Sequence, residues 1–208
     1  MMKECCIIPL KREHIGRIVD IHIRAFPGFF LTFLGARFLG EFYRSFIKEE
    51  TGISFVAVDK KKGDLLGAVF GTDSRSSFFR KLAVRRWWAF GLASLSAVVK
   101  NPSIIKRLLR ALTYRGDPPC HPGYALLSSI AVAPETQGMG VGKALLNAWV
   151  EEVKKRSCPG AYLTTDVLDN VPVNHFYQRA GWILESTFIT PEGRRMNRYV
   201  LNFNNGEP

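Results

Sequence analysis

Ile130-Ala131-Val132-Ala133-Pro134-Glu135-Thr136-Gln137-Gly138-Met139-Gly140-Val141-Gly142-Lys143-Ala144 joins the end of an apolar run to the start of an amphipathic one across three alternate glycines. Upstream, Ala125–Val132 is continuously apolar apart from serines, as a buried central strand requires. Downstream, Leu145, Leu146, Trp149, Val150 and Val153 recur on one face, so a helix is predicted from Gly140 to Arg156. Glycines lack Cβ atoms and let backbone N–H groups approach a ligand closely. The unpaired N–H groups and positive dipole end of a helix favour an anion there, and Lys143 adds charge. A diphosphate is the natural occupant. A P-loop would need glycine where Gln137 stands and Ser or Thr where Ala144 stands. A dinucleotide fingerprint would need a third glycine at Lys143 and a place near the N-terminus. A tight turn alone does not require three glycines.

Outward from this stretch the chain alternates between strand and helix patterns. Cys5–Ile8 is a short strand ended by Pro9. Ile15, Ile18, Val19 and His22 mark a helix to about Phe26, and Phe38, Leu39, Phe42, Tyr43, Phe46 and Ile47 mark a second one. Ile53–Asp59 and Leu65–Gly71 read as a hairpin across Lys60-Lys61-Lys62-Gly63-Asp64. Tyr162–Val167 is a strand, Val173–Ala180 a short helix, and two strand-like runs surround Gly193. The order β, α, α, β, β, insertion, β, α, β, α, β, β predicts an α/β fold, a mixed sheet covered by helices. One domain over residues 1–208 is expected, carrying an insertion at about 74–121.

That insertion is where the charge resides. The 208-residue chain carries a formal net charge of +11, and between Ser74 and His121 ten basic residues face one acid, Asp117, so this segment supplies +9. It reads as two or three helical pieces broken at Asn101-Pro102. Arg85-Arg86-Trp87-Trp88, followed by an apolar run and then Lys106-Arg107 and Arg110, has the composition of an interfacial amphipathic region. Three uses stand side by side: peripheral contact with an anionic membrane, attraction of a phosphorylated substrate such as a nucleotide sugar, or a solvated arm for homodimer contacts. Nucleic acid ranks last, since no RNA-binding motif is present.

The remaining composition is ordinary, 47% hydrophobic and 23% charged. The four cysteines form no CxxC or Cys/His cluster, so neither a disulfide framework nor a metal is expected. The opening residues reach Pro9 without an apolar run of signal-peptide length. The longest uncharged, mostly apolar stretch, Trp87 to Val99, is 13 residues, short of the roughly 20 that span a bilayer. A cytoplasmic protein is expected, membrane-peripheral if the basic arm engages lipid.

Gln137-Gly138-Met139-Gly140-Val141-Gly142-Lys143-Ala144 resembles the acetyl-CoA motif of the GNAT superfamily of N-acetyltransferases, Arg/Gln-x-x-Gly-x-Gly/Ala. Asp169-Asn170-Val171-Pro172-Val173-Asn174-His175-Phe176-Tyr177-Gln178-Arg179-Ala180-Gly181-Trp182 is similar to the family's second signature, an Asn, then Phe-Tyr, then Gly and an aromatic. The likeness covers Tyr124 to Asn202 by motif and Cys5 to Gly71 by element order; the basic insertion lies outside it. It implies the GNAT-like acyl-CoA N-acyltransferase fold, acetyl-CoA as cofactor, and direct transfer of the acetyl group to a primary amine of a small molecule or amino sugar. The resemblance further implies that backbone groups of Ile130, Ala131 and Val132 pair with the pantetheine arm. Gln137 and the amides from Gly138 through Met139, Gly140, Val141, Gly142 and Lys143 to Ala144 would hold the pyrophosphate. Asn170 and Asn174 would contact the cofactor, and Tyr177 would stand near the thioester sulfur. A phenol with a pKa of about 10 stays protonated at neutral pH and suits protonation of a leaving thiolate.

The acceptor side is less specified. Many relatives carry Glu on the strand before the loop; here it has Ser128 and Ser129, leaving Glu41, His121 and Asp166 as unranked candidates for a base. The connection Phe26-Pro27-Gly28-Phe29-Phe30-Leu31 reads either as a substrate wall, formed by Phe26, Phe29 and Phe30, or as a hydrophobic plug. A non-catalytic acyl-CoA-binding or membrane-surface interaction protein is the alternative to an enzyme.

Overall fold

A computed structural model describes residues 4–85, 90, 121–191 and 193–203. Its strands are β1 (Cys5–Pro9), β2 (Gly52–Asp59), β3 (Leu65–Thr72), β4 (Ala125–Val132), β5 (Gly160–Asp166), β6 (Ile183–Ile189) and β7 (Arg195–Asn202). Between them run α1 (Ile15–Ala25), the one-turn α2 (Phe30–Phe33), α3 (Ala36–Lys48), α4 (Arg75–Arg85), α5 (Val141–Lys155) and α6 (Val171–Arg179). The seven strands make one mixed sheet in the order β1-β2-β3-β4-β5-β7-β6. The expected α/β architecture is therefore the observed one.

Local chemistry explains the hairpin and the helix ends. The Asp59 carboxylate accepts from the backbone N–H of Lys61 and Lys62 at 2.8 and 3.1 Å, and Gly63 takes the left-handed φ of +73° that closes the β2–β3 turn. Apolar periodicity places α3 from Phe38, but Gly35, at φ +90°, turns the chain two residues earlier and α3 opens at Ala36. Helix α6 likewise starts at Val171 rather than Val173, because Pro172 lacks only an N–H that the first turn does not need. The first part of the basic segment is helical, as α4; its remainder, apart from Phe90 and His121, lies outside the described residues.

Two layers of side chains sandwich the sheet. Helices α1, α3 and α4 cover one face through Ile18, Leu39, Phe46 and Phe78, packed on Phe70. Helix α5 covers the other through Leu145, Trp149 and Val153, packed on Val69, Leu127 and Leu163. Trp149 is fully buried, which is worth roughly 2–3 kcal/mol for a side chain of that size. Its ring lies where a Cβ on Gly71 would collide with it and with the Leu126 carbonyl, so glycine is required at that point of β3. At the far end of α5, Arg156 donates to Asp73 at 2.7 Å and to the carbonyls of Glu50 and Gly52 at 2.9 and 3.2 Å. This fastens the helix to the start of β2.

The feature that prepares a site is the junction of β4 and β5, the one parallel pair in the sheet. Only Ala125↔Ala161 and Leu126↔Tyr162 are in register. Beyond them the strands part: β4 stays with β3 as far as Val132, and β5 stays with β7 as far as Asp166. The inner edges of both strands are left without a ladder partner among the described residues. On its other side β4 carries a bulge, since Phe70 faces Ser129 and Gly71 faces Leu127, leaving Ser128 as the extra residue.

Candidate active site

The glycine loop stands at the mouth of this opening. After β4, Thr136 Oγ1 donates to the Ala133 carbonyl at 3.1 Å and closes a single 3₁₀ turn. Gln137 reaches back so that its Nε2 donates to the Val132 carbonyl at 3.3 Å. Gly138 and Gly140 both take left-handed φ angles, +76° and +85°, which residues with a Cβ adopt only at a cost of about 1–2 kcal/mol. Gly140 is the N-cap of α5, and no side chain caps the helix. The first helical hydrogen bond runs from Ala144 N–H to Gly140 O at 3.0 Å. The N–H groups of Val141, Gly142 and Lys143 therefore have no acceptor within the helix. Gly138, Met139, Gly140 and Lys143 are exposed. Uncapped N–H groups, a positive dipole end and exposed glycines fit a diphosphate, and the unpaired inner edge at Ile130–Val132 fits an extended amide-bearing arm.

Helix α6 flanks the same opening. A Cβ on Gly142 would sit 3.7 Å from the Phe176 ring, so the start of α5 lies against this helix. Asn170 stands at the N-cap of α6, and its Nδ2 donates to Thr165 Oγ1 at 2.7 Å and to the Asp166 carbonyl at 3.1 Å. Asn174 is buried, and its amide is committed to the protein at every position. It donates to the carbonyls of Asp166 and Asn170, and its oxygen accepts from Asn197 Nδ2 and Tyr199 OH, all within 2.8–3.0 Å. Tyr177 is 5% exposed, against the rings of Phe176, Trp182 and Tyr199. Burial pushes its phenol well above the ordinary tyrosine range, so it keeps its proton throughout the physiological range.

Across the sheet, α1 and its connection to α2 build a second wall. Arg24 of α1 donates to Glu135 at 2.9 Å, tying the helix to the start of the glycine loop. Phe26 and Phe29 lie tilted against His22, with ring centroids 5.0 and 6.2 Å away. Phe30 opens α2, and its side chain lies outside the described residues. The guanidinium of Arg194, on the β6–β7 connection, sits 5.8 Å from the Phe29 ring centroid. The same guanidinium grips both oxygens of Asp166, at 3.1 and 2.5 Å. The connection thus reaches the β6–β7 hairpin through Phe29, which is itself exposed. Of the three carboxylate or imidazole candidates for a base, Asp166 is engaged with Arg194, His121 Nε2 pairs with Glu185 at 2.7 Å, and Glu41 pairs with Arg44 at 2.7 Å.

Periodicity alone concealed a polar network in this wall. His22, 1% exposed, shares a 2.6 Å hydrogen bond between Nδ1 and Tyr43 OH. Burial lowers the His22 pKa to about 4, so the ring is neutral at pH 7. Its Nε2 meets no partner among the described residues. In the sequence, His22 and Tyr43 occupy positions of apolar stripes, and the only available signal was that each is a polar group where a hydrocarbon is expected.

This chain belongs to the acetyltransferase (GNAT) family, whose profile matches residues 16–182. A mycothiol acetyltransferase from Arthrobacter sp. (strain FB24) is 37% identical over 62 residues, which is 30% of this chain and 19% of that protein. The match thus spans about a fifth of that relative's length. Among solved structures, a protein described as a GNAT-family acetyltransferase from Desulfovibrio desulfuricans superposes with a TM-score of 0.61 at 16% identity, over 96% of this chain and 99% of that one. A protein described as a streptothricin acetyltransferase from Bacillus anthracis strain Ames, in complex with acetyl coenzyme A, gives 0.51 at 16% identity, over 78% and 68%. At such identities these likenesses establish the fold. GNAT-fold acetyltransferases bind acetyl-CoA. Among the described residues, no helix is long and apolar enough to cross a membrane, and no group of three or more His, Cys, Asp or Glu could hold a metal ion.

Proposed function

We propose that this protein is an N-acetyltransferase that moves the acetyl group of acetyl-CoA directly to a primary amine of a small acceptor. The observation that carries this reading is the two-pair ladder between β4 and β5, opening beside the uncapped start of α5. In this reading the N–H groups of Val141, Gly142 and Lys143 hold the diphosphate, and Gly138 and Gly140 keep the loop surface free of side chains. The inner backbone edge of Ile130 to Val132 pairs with the pantetheine amides. Asn170 and Asn174 serve the cofactor by holding the end of β5 and the start of α6 in place.

The bound cofactor supplies an acetyl group already activated as a thioester. The protein's own tasks are then to place an amine, to keep water out and to manage two protons. Tyr177 keeps a proton on its phenol oxygen, available to the sulfur as it leaves. Phe26 and Phe29 line the acceptor wall, and the neutral His22, hydrogen-bonded to Tyr43, lies against them. An amine bound in its neutral form would attack without first being deprotonated by a carboxylate, consistent with the absence of acid from β4.

Measuring thiol release from acetyl-CoA over a panel of amino sugars, polyamines and peptide N-termini tests the proposal. Turnover with at least one amine is expected. Tight CoA binding with no turnover on any amine would favour the non-catalytic acyl-CoA-binding alternative.

A further inference from the structure

The connection from α1 to α2 crosses the opening between β4 and β5, and it is anchored on both sides. On the β4 side, Phe26 packs with Ile21 against Ala131 and Ala133, where the strand ends. Arg24 fastens the same side by its 2.9 Å bond to Glu135. On the β5 side, the strand ends in Asp166, and the Arg194 guanidinium that grips both Asp166 oxygens lies 5.8 Å from the Phe29 ring centroid. Strand alternation puts Leu163 under α5 and Asp166 toward the face that α1 covers, so both anchors stand on one face of the sheet. The Phe26 and Phe29 ring centroids are 6.1 Å apart, and the pair forms a strap from one strand end to the other. Tyr177 lies in the core of the opposite face.

The two anchors differ in kind. On the β4 side a charge-assisted hydrogen bond adds to packing on buried alanines. On the β5 side Phe29 is exposed, and its backbone bonds run to Phe26 and Thr32 within the strap itself. The guanidinium beside its ring is what ties it to β5. Arg194 is well fixed for that task. Its Nε and NH2 groups donate to the two Asp166 oxygens, its backbone N–H donates to Thr190 Oγ1 at 3.3 Å, and its carbonyl accepts from the Thr190 N–H at 2.9 Å. A guanidinium paired through its edge with a carboxylate keeps its flat faces for an aromatic ring, which a single ammonium cannot do as well. Because Asp166 already neutralises it, Arg194 is suited to holding Phe29 rather than to drawing in an anion.

We propose that Arg194 is a positioning residue for the acceptor. By holding Phe29 at the end of β5 it keeps the strap drawn across the opening, and the strap fixes the body of the amine on the face opposite Tyr177. The inference rests on the acetyltransferase reading and adds to it a residue of the acceptor side. In this role Arg194 touches neither cofactor nor amine and acts through Phe29.

Glucosamine, spermidine and alanine amide serve as acceptor probes for the full-length protein, and Arg194→Met, Phe29→Leu and the double variant are compared with wild type. A partly exposed cation–π contact corresponds to about a two- to fivefold change in an equilibrium. Arg194→Met should raise KM for each probe that is turned over by about that factor, while kcat and CoA affinity stay within about twofold of wild type. The retained CoA affinity also shows that the variant is folded. In the Phe29→Leu background Arg194→Met should add nothing further, because the guanidinium then has no ring to hold. A merely structural role for the Arg194–Asp166 pair would give independent effects instead. Amide exchange followed by NMR reads the strap without any acceptor: the Phe29 and Thr32 N–H groups should exchange about two- to fivefold faster in Arg194→Met, and those of α5 no faster. Unchanged KM, a fall in kcat alone, independent effects in the double variant, or unchanged exchange in the strap would overturn the proposal. No turnover of any probe or panel amine by the wild type would sink the acetyltransferase reading and the acceptor role with it, whereas faster strap exchange in Arg194→Met would still leave the Phe29–Arg194 tie standing.

Discussion

Gly138 and Gly142 belong to the same motif, yet the structure gives them opposite roles, and paired alanine substitutions should separate them. Gly142 is the second residue of α5, and a Cβ there would lie 3.6 Å from Val132 Cγ2 and 3.7 Å from the Phe176 ring, ordinary van der Waals distances. Alanine in a helix is favoured over glycine by roughly 0.5–1 kcal/mol. For a chain of this size 1 kcal/mol moves Tm by about 2–4 °C, so Gly142→Ala should raise Tm by a degree or two. Its methyl would point at the core and its N–H would remain, so CoA affinity should hold within about twofold. Gly138 sits at φ +76° with nothing within 4 Å of its would-be Cβ. Gly138→Ala therefore gains no contact and incurs left-handed strain of about 1–2 kcal/mol, partly offset by a stiffer unfolded chain. A net loss of about 1 kcal/mol, or 2–4 °C, is expected. Its methyl projects from the exposed loop surface, and displacing one amide from the diphosphate should weaken CoA by about tenfold or more. Thermal unfolding with and without CoA, together with titration calorimetry, reads both quantities. Equal loss of CoA affinity in the two variants, or a Gly138→Ala protein indistinguishable from wild type, would refute this assignment of the loop.

Tyr177→Phe should lower kcat by about a hundredfold or more while CoA binding changes little; equal activity of mutant and wild type would remove Tyr177 from the acid role. His22 is held below its ordinary pKa by burial, from 6.5 to about 4, so between those values the unfolded chain binds a proton that the native protein refuses. Its contribution is complete above pH 6.5 and is lost as the pH falls towards 4. Urea unfolding at pH 7, 6 and 5 should show a stability slope approaching about 1.4 kcal/mol per pH unit from this group. His22→Gln should flatten that component, and an unchanged slope would show that another group carries it. Asn174→Leu would strand Tyr199 OH and Asn197 Nδ2 in the interior. A loss of about 3 kcal/mol is expected in denaturant unfolding, with CoA binding weakened because α6 loses its anchor; a loss below about 1 kcal/mol would show that these bonds are readily replaced.

What could be read directly from the sequence is what repeats or sits close along the chain. The amphipathic stripe of α5, the Asp59–Gly63 turn and the three glycines before a helix are governed by contacts a few residues apart. Period and turn chemistry therefore exposed them, and with them a loop suited to a diphosphate; its assignment to acetyl-CoA came from the resemblance of the two signatures to the GNAT family. The second signature pointed to Asn174 but not to its use, since nothing in a motif says whether an amide faces a ligand or its own protein. Here Asn197 and Tyr199, 23 and 25 residues away, accept that decision by binding its oxygen. The acceptor side belongs almost entirely to tertiary structure. Parting β4 from β5 after two pairs depends on what each strand finds on its other edge, and Ser128 is left without a register partner only through the bulge set by β3. His22 meets Tyr43 across 21 residues, and Arg194 reaches Asp166 across 28 and Phe29 across the sheet. Such pairings carry no period, because closing a long loop is limited by chain entropy and shape rather than by local geometry. A glycine loop can therefore be recognised as a line of text, whereas the opening between β4 and β5 exists only once the sheet has formed.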